Sequence, residues 1–212
     1  MKLPADIRFL ITAGPTREFF DPIRYISNRS SGKMGYAIAE AARAISSQVV
    51  LVSGPTALTP PKGVEFVPVT TAQEMAEAVW SRFKAVDVCI MAAAVCDFRP
   101  TKTATKKIKK AAFGGVLELE PTPDILAELG RSKRSQVLVG FAAETDDLEK
   151  NARQKLVRKG LNFIVANDAS TFEAETSRAT FIGGEGKMER LTELPKSEVA
   201  KAIIERAVRL IR

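Results

Sequence analysis

The sequence predicts an α/β fold, a doubly wound and mostly parallel Rossmann-like sheet with small antiparallel additions. Two observations carry this prediction. Short β-branched runs alternate with longer helical patterns along the whole chain, the signature of strand–helix–strand units. Two of the connections that follow strands are also far longer than turns, as happens where such sheets build their sites.

The elements follow in order. Residues 8–12 (RFLIT), 49–52 (VVLV), 64–69 (VEFVPV), 86–91 (VDVCIM), 136–141 (QVLVGF) and 162–166 (NFIVA) read as mainly buried strands. Met34, Ala37, Ile38, Ala41, Ala42 and Ile45 recur at helical spacing. Met75, Val79 and Phe83 do the same behind a capping box of Thr71 and Glu74. Thr122 and Pro123 read as an N-cap with proline at the first helical position, opening PDILAELG. A helix over about 146–159 stops at Gly160, and a last helix covers about 197–211. Residues 116–120 and 179–182 are expected as peripheral antiparallel additions. No internal repeat and no Gly/Ser/Pro linker divides the chain, so residues 1–212 are expected to form a single domain.

The first long connection spans Ala13 to Gly32 and ends SNRSSGKMG. Ser30, Ser31 and Gly32 are placed to cap the next helix and leave its N–H groups aimed at an anion. A well-capped helix with glycines for close packing is the plainer reading of the same residues. It is not a Walker A loop, since position 27 is Ser and Met34 follows Lys33; nor is it a dinucleotide fingerprint, since Pro15 follows Gly14. The second connection, AAAVCDFRPTKTATKKIKKAAFGG, carries Lys102, Lys106, Lys107, Lys109 and Lys110. Such a run is a solvated face, a nucleic-acid arm, or a loop that folds over a polyphosphate. Only Phe98 and Phe113 interleave it, which disfavours stacking on nucleic acid. After GFAAET, Lys155 and Lys159 lie four apart on one helical face, by spacing alone a solubility feature or a pair of anion ligands.

Composition narrows the chemistry. Hydrophobic residues are 45% and charged residues 27%, a globular balance, and the net charge of +7 favours anionic partners without choosing one. The absence of histidine removes imidazole acid/base chemistry, Ser-His and Cys-His pairs and most zinc sites. Cys89 and Cys96 stand seven residues apart on nearly extended chain, too far for a disulfide, and reduced thiols are expected. No apolar run is long enough for a membrane span and no leader is read at the N-terminus, so a cytoplasmic location without a membrane partner is expected.

Together, ITAGPTRE, DPIRYISNRSSGKMGYAIAEAA, AAAVCDFRP, KIKK, PTPDIL, GFAAET, ARQKLVRKGLNFIVAND and the weaker LPKSEVAKAI resemble the phosphopantothenoylcysteine synthetases (phosphopantothenate–cysteine ligases) in that family's order over nearly the whole chain. The resemblance implies a CTP-dependent ligase of the bacterial type that joins 4′-phosphopantothenate to L-cysteine in coenzyme A biosynthesis and releases CMP and pyrophosphate. It implies CTP held by Asp97, Lys107, Pro123, Asp124, Ile125, Leu126, Phe141, Lys155 and Lys159. Arg24, Asn28 and Ala93 are implied for phosphopantothenate or its activated form, with Asn28 and Lys107 serving the chemistry. It further implies a homodimer, a divalent cation such as Mg²⁺ carried mainly by the CTP phosphates, and no nucleic-acid partner. This chain departs from the family at Cys96, where a small residue such as Ala is usual. Many bacterial members carry a flavin-dependent decarboxylase domain ahead of this one.

The residue set suits that chemistry. A carboxylate becomes a leaving group by attacking an α-phosphate, and an amine then displaces the nucleotide; neither step needs an enzyme nucleophile. Charge neutralisation and alignment are what the protein must supply. Two other classes fit parts of the sequence. A non-catalytic nucleotide- or RNA-binding module explains fold and charge, and predicts salt-sensitive binding without pyrophosphate release. A Rossmann dehydrogenase explains the sheet, but no acidic ribose ligand follows the second strand, which continues SGPTAL.

Overall fold

The computed structural model describes residues 6–110, 113–144, 148–168, 175–183 and 188–211. Six parallel strands form the body of one sheet: β1 (Phe9–Ala13), β4 (Val49–Ser53), β5 (Glu65–Pro68), β6 (Val88–Met91), β9 (Val137–Glu144) and β10 (Phe163–Asp168). The sheet runs β13-β12-β10-β9-β6-β1-β4-β5, with β12 (Ala179–Gly183) and β13 (Met188–Arg190) antiparallel at one edge. From β1 the chain winds outward to β4 and β5, then returns to β6 and winds the other way. The crevice between the carboxyl ends of β1 and β6 is therefore the topological switch point, where ligands bind in this architecture.

Side chains alternate across each strand and feed two cores. Phe9, Ile11, Leu51, Ile90, Val139 and Phe163 pack under α1 (Lys33–Arg43) and α5 (Lys196–Arg209). Leu10, Val52, Cys89, Leu138 and Ile164 pack under α2 (Ala72–Phe83), α3 (Ile125–Ser132) and α4 (Leu148–Arg158) on the other face. Both cysteines are free and buried, and burial pushes both thiols above their ordinary pKa.

The capping box forms as expected: the Thr71 hydroxyl accepts from Glu74 N and the Glu74 carboxylate accepts from Thr71 N. Two other caps differ from expectation. Helix α1 is capped by Gly32, one of the three residues expected there, at φ 78°, but no serine side chain caps it, and the Ser30 Oγ accepts from Gly32 N instead. Helix α3 is capped by the Asp124 carboxylate, which accepts from Ala127 N at 3.1 Å; Thr122 is occupied elsewhere, donating to the Cys96 carbonyl. The first long connection holds a hairpin that sequence reasoning missed, β2 (Arg17–Phe19) with β3 (Tyr25–Ser27). The strand expected at 116–120 is β8 (Leu119–Pro121), paired antiparallel with β7 (Phe98–Pro100) as a separate ribbon. The one expected at 179–182 is β12, and α5 starts one residue earlier than read, at Lys196. The start read at 146 for α4 lies outside the described residues. No helix among the described residues is long and apolar enough to cross a membrane.

Candidate nucleotide and acyl-transfer site

The two long connections meet above the switch point and are zipped together. Pro15 bridges Ala94, Ala94 N donates to Gly14 O at 2.9 Å, and Cys96 N donates to Thr16 Oγ1 at 2.9 Å. Asn28 adds a side-chain stitch, its Nδ2 donating to Val95 O at 2.9 Å. Helix α1 begins hard against β1: a Cβ on Gly35 would sit 2.5 Å from the Ala13 Cβ. That close approach sets the helix amino terminus at the strand end.

Above β1, β6 and β9 lies a cleft with two chambers. The larger, about 410 Å³, is lined by residues 28–35, by Ala93, Val95, Asp97, Phe141 and Lys155, and by Ser177 and Lys196. The smaller, about 330 Å³, shares Ala93, Val95, Asp97, Phe141 and Lys155 and continues past Pro123, Asp124, Ile125 and Leu126 to Lys159. Of the residues implied by the family resemblance, Asn28, Ala93, Asp97, Pro123, Asp124, Ile125, Leu126, Phe141, Lys155 and Lys159 thus line one continuous cleft.

Lys155 of α4 and Lys159 just past its end are both partly buried. Lys155 Nζ donates to Phe141 O at 2.7 Å, which holds an ammonium at the end of β9 on the wall common to both chambers. Lys159, its side chain 12% exposed, pairs with Asp124 at 2.9 Å and joins α4 to the start of α3. Burial works against the Asp124 carboxylate, but Lys159 and the Ala127 N–H outweigh it and hold the carboxyl below its usual pKa.

Arg24 and Lys107 stand apart from both chambers. Asp21, fully buried, accepts from the N–H of Ile23, Arg24 and Ile108 and from the Arg24 guanidinium at 2.6 Å. Arg24 Nη2 also donates to Ile108 O at 2.8 Å. Both polar groups of the Ile108 backbone are therefore taken by one ion pair whose carboxylate is buried, and the lysine loop is anchored beside Lys107. Thr103 Oγ1 and Ala104 N extend the seam onto the carbonyls of Phe19 and Phe20. Lys107 itself is exposed.

Sequence reasoning missed Asp21 as an anchor and missed Ser177 and Lys196 as lining residues. The only signal for Lys196 was its place in the weak LPKSEVAKAI match; Ser177 carried none. Among the described residues, no three His, Cys, Asp or Glu side chains gather in a way that would hold a metal ion.

Known proteins resemble this chain closely. The family described as DNA/pantothenate metabolism flavoprotein C-terminal domain matches residues 5–210. The coenzyme A biosynthesis bifunctional protein CoaBC of Bacillus subtilis (strain 168) is 48% identical over 201 residues, which cover 92% of this chain and 50% of that protein. CoaBC of Vibrio parahaemolyticus is 46% identical over 84% of this chain and 47% of its own length. The chain spans about half the length of these curated relatives. The crystal structure of the C-terminal domain of CoaBC superimposes with a TM-score of 0.86 at 45% identity, over 99% of this chain and 98% of that one.

Proposed function

Since the chain belongs to the family of DNA/pantothenate metabolism flavoprotein C-terminal domains, we propose that it joins 4′-phosphopantothenate to L-cysteine at the expense of CTP. The reaction passes through an acyl-cytidylate and gives 4′-phosphopantothenoylcysteine, CMP and pyrophosphate. The observation that carries this reading is the shared wall of the two chambers. A nucleotide in the smaller chamber and an acid in the larger one would meet at Ala93, Val95, Asp97, Phe141 and Lys155.

Each group then has a task. The Pro123–Leu126 turn and the Lys159–Asp124 pair frame the base end of the cleft. Lys155, fixed on the Phe141 carbonyl, offsets the charge that develops on the α-phosphate as the carboxylate attacks. Asn28 holds the Val95 carbonyl and sets the shape of the acyl side. Lys107 approaches the phosphates from its anchored loop. No histidine is required in either step, and the chain has none.

A divalent cation such as Mg²⁺ would supply further neutralisation of the triphosphate. The residues fit an ion carried chiefly by the phosphates, because Asp97 is the one carboxylate common to both chambers and no acidic cluster surrounds it among the described residues. The ligase is assigned to the cytoplasm as a homodimer that binds neither membrane nor nucleic acid.

The test is product analysis with phosphopantothenate, cysteine and each of the four nucleoside triphosphates. Phosphopantothenoylcysteine, CMP and pyrophosphate in equal amounts, formed with CTP, are expected. Equal rates with ATP would refute CTP preference alone. Nucleotide binding without pyrophosphate release would refute the ligase reading and favour a binding module.

A further inference from the structure

Two helices begin at the larger chamber, and neither is capped by a side chain. Lys33 is the first residue of α1 behind Gly32, and Lys196 is the first residue of α5 behind Pro195. Both lysines line the cleft. An amino terminus that lacks a side-chain cap presents N–H groups and the positive end of the helix dipole. Here two such ends converge, each with an ammonium on its first residue.

The third component is Ser177. It is fully buried, lines the same chamber, and its Oγ has no hydrogen-bond partner among the described residues. A buried hydroxyl left without a partner is costly, so its retention against the cleft points to a ligand that completes it. The placement is built rather than incidental. β11 (Thr176–Ser177) pairs with β14 (Leu194–Pro195), and Lys196 N donates to Glu175 O at 3.0 Å, which locks Ser177 beside the α5 start.

Electrostatics agree. Lys196 is only 8% exposed, and burial together with the nearby Lys33 charge lowers its pKa. A buried ammonium thus feels the like charge of a half-buried one, an arrangement that an anion relieves. The Glu175 carboxylate already does so in part from the solvent side, bonded to Lys33, which holds that carboxyl below its usual pKa.

We infer that Lys33, Lys196 and Ser177, at the paired amino termini of α1 and α5, form a binding pocket for a phosphate group at the end of the larger chamber, with Glu175 as the carboxylate an incoming phosphate displaces from Lys33. This deepens the ligase reading and rests on it only for the source of the phosphate. That source is either the β,γ-phosphates of the nucleotide or the terminal phosphate of phosphopantothenate.

Calorimetric titration of the full chain separates these cases, with CTP compared against cytidine, phosphopantothenate against pantothenate, and inorganic pyrophosphate alone. Lys196→Gln should weaken the phosphorylated member of one pair by about tenfold or more, the loss of a charge-assisted contact, and leave its dephosphorylated counterpart unchanged. The pair affected names the source. Ser177→Ala should weaken the same ligand while thermal stability stays level or rises, since the hydroxyl has no partner to lose among the described residues. Glu175→Gln should bind that ligand as tightly as the wild type or more tightly. Pyrophosphate binding that is weakened in Lys196→Gln supports the pocket even where neither substrate binds, so failure of the ligase reading is distinguishable. The pocket is overturned if Lys196→Gln changes none of the three phosphorylated probes, if Ser177→Ala loses stability without losing affinity, or if Glu175→Gln weakens binding as Lys196→Gln does.

Discussion

Asn28 shows how much of a residue's task depends on what its atoms already touch. The family resemblance implied Asn28 for phosphopantothenate or its activated form; in the structure its Nδ2 donates to Val95 O, and the residue lines the cleft from there. Asn28→Asp would set a carboxylate oxygen against a carbonyl oxygen and lose the stitch. Turnover should fall by about two orders of magnitude or more, the scale of a lost electrostatic contact at a reacting centre. CTP affinity should stay within about threefold, since its proposed ligands lie elsewhere. Calorimetry and a mass-spectrometric search for the acyl-cytidylate measure both; equal loss of affinity and turnover would make Asn28 a nucleotide ligand instead. Lys107→Gln against Lys102→Gln is a second comparison. Both are exposed lysines of one run, but only Lys107 adjoins the anchored Ile108. A rate loss near a hundredfold is expected for Lys107→Gln and little for Lys102→Gln; matching kinetics would make the run a generic charged loop. Lys155 and Lys159 were legible as a helical pair from their spacing. Their partners were not, because Phe141 O and Asp124 come from other elements. Asp21 went unread for the same reason: the Ile108 N–H that it anchors lies 87 residues away.

The hairpin, the lysine loop and the α1 start are the elements that sequence periodicity described least well. Periodicity registers long amphipathic segments, and β2 and β3 have three residues each. Asp21 ties their turn to the lysine loop. The Arg24 guanidinium beside Asp21 holds its carboxyl well below the usual carboxylate range. With the folded value depressed, this contribution is present above the unfolded pKa of about 4 and fades as pH falls through the lower folded value. Asp21→Asn should therefore lower stability at neutral pH and flatten the acid limb of the stability curve, read by urea melts between pH 7 and pH 2. The same variant frees Ile108, so trypsin should cleave faster at Lys106, Lys107, Lys109 and Lys110; an unchanged rate would show the loop is held by other contacts. Gly35→Ala tests the α1 start. With its Cβ only 2.5 Å from that of Ala13, the helix must shift, at a cost of about 1–3 kcal/mol by urea denaturation. The serines before α1 looked like caps from their type alone. What the sequence concealed is that the cap position takes a positive φ, which falls to Gly32.

Across the whole molecule, the sheet was the most legible level, since parallel strands buried on both faces read as unbroken apolar runs. Strand order was not legible, and of the antiparallel edge only residues 179–182 were read, because β13 has just three residues. Two ribbons, β2–β3 and β7–β8, stand off the main sheet and expose Tyr25, Phe98 and Leu119. Sedimentation equilibrium should give twice the 23.0 kDa chain mass if the proposed homodimer forms, and a monomer at micromolar concentration would refute it. The strand order also fixes a timetable for synthesis. β1 is flanked by β4 and β6, and β6 starts only at Val88. At about 5–20 residues per second, the uncharged strand FLITA therefore leaves the ribosome with one edge open for several seconds. Nascent chains stalled just short of Val88 should be bound by chaperones or aggregate, whereas chains stalled after β9 should resist both; for this molecule, the strand that founds the ligand crevice is also the one most exposed during its making.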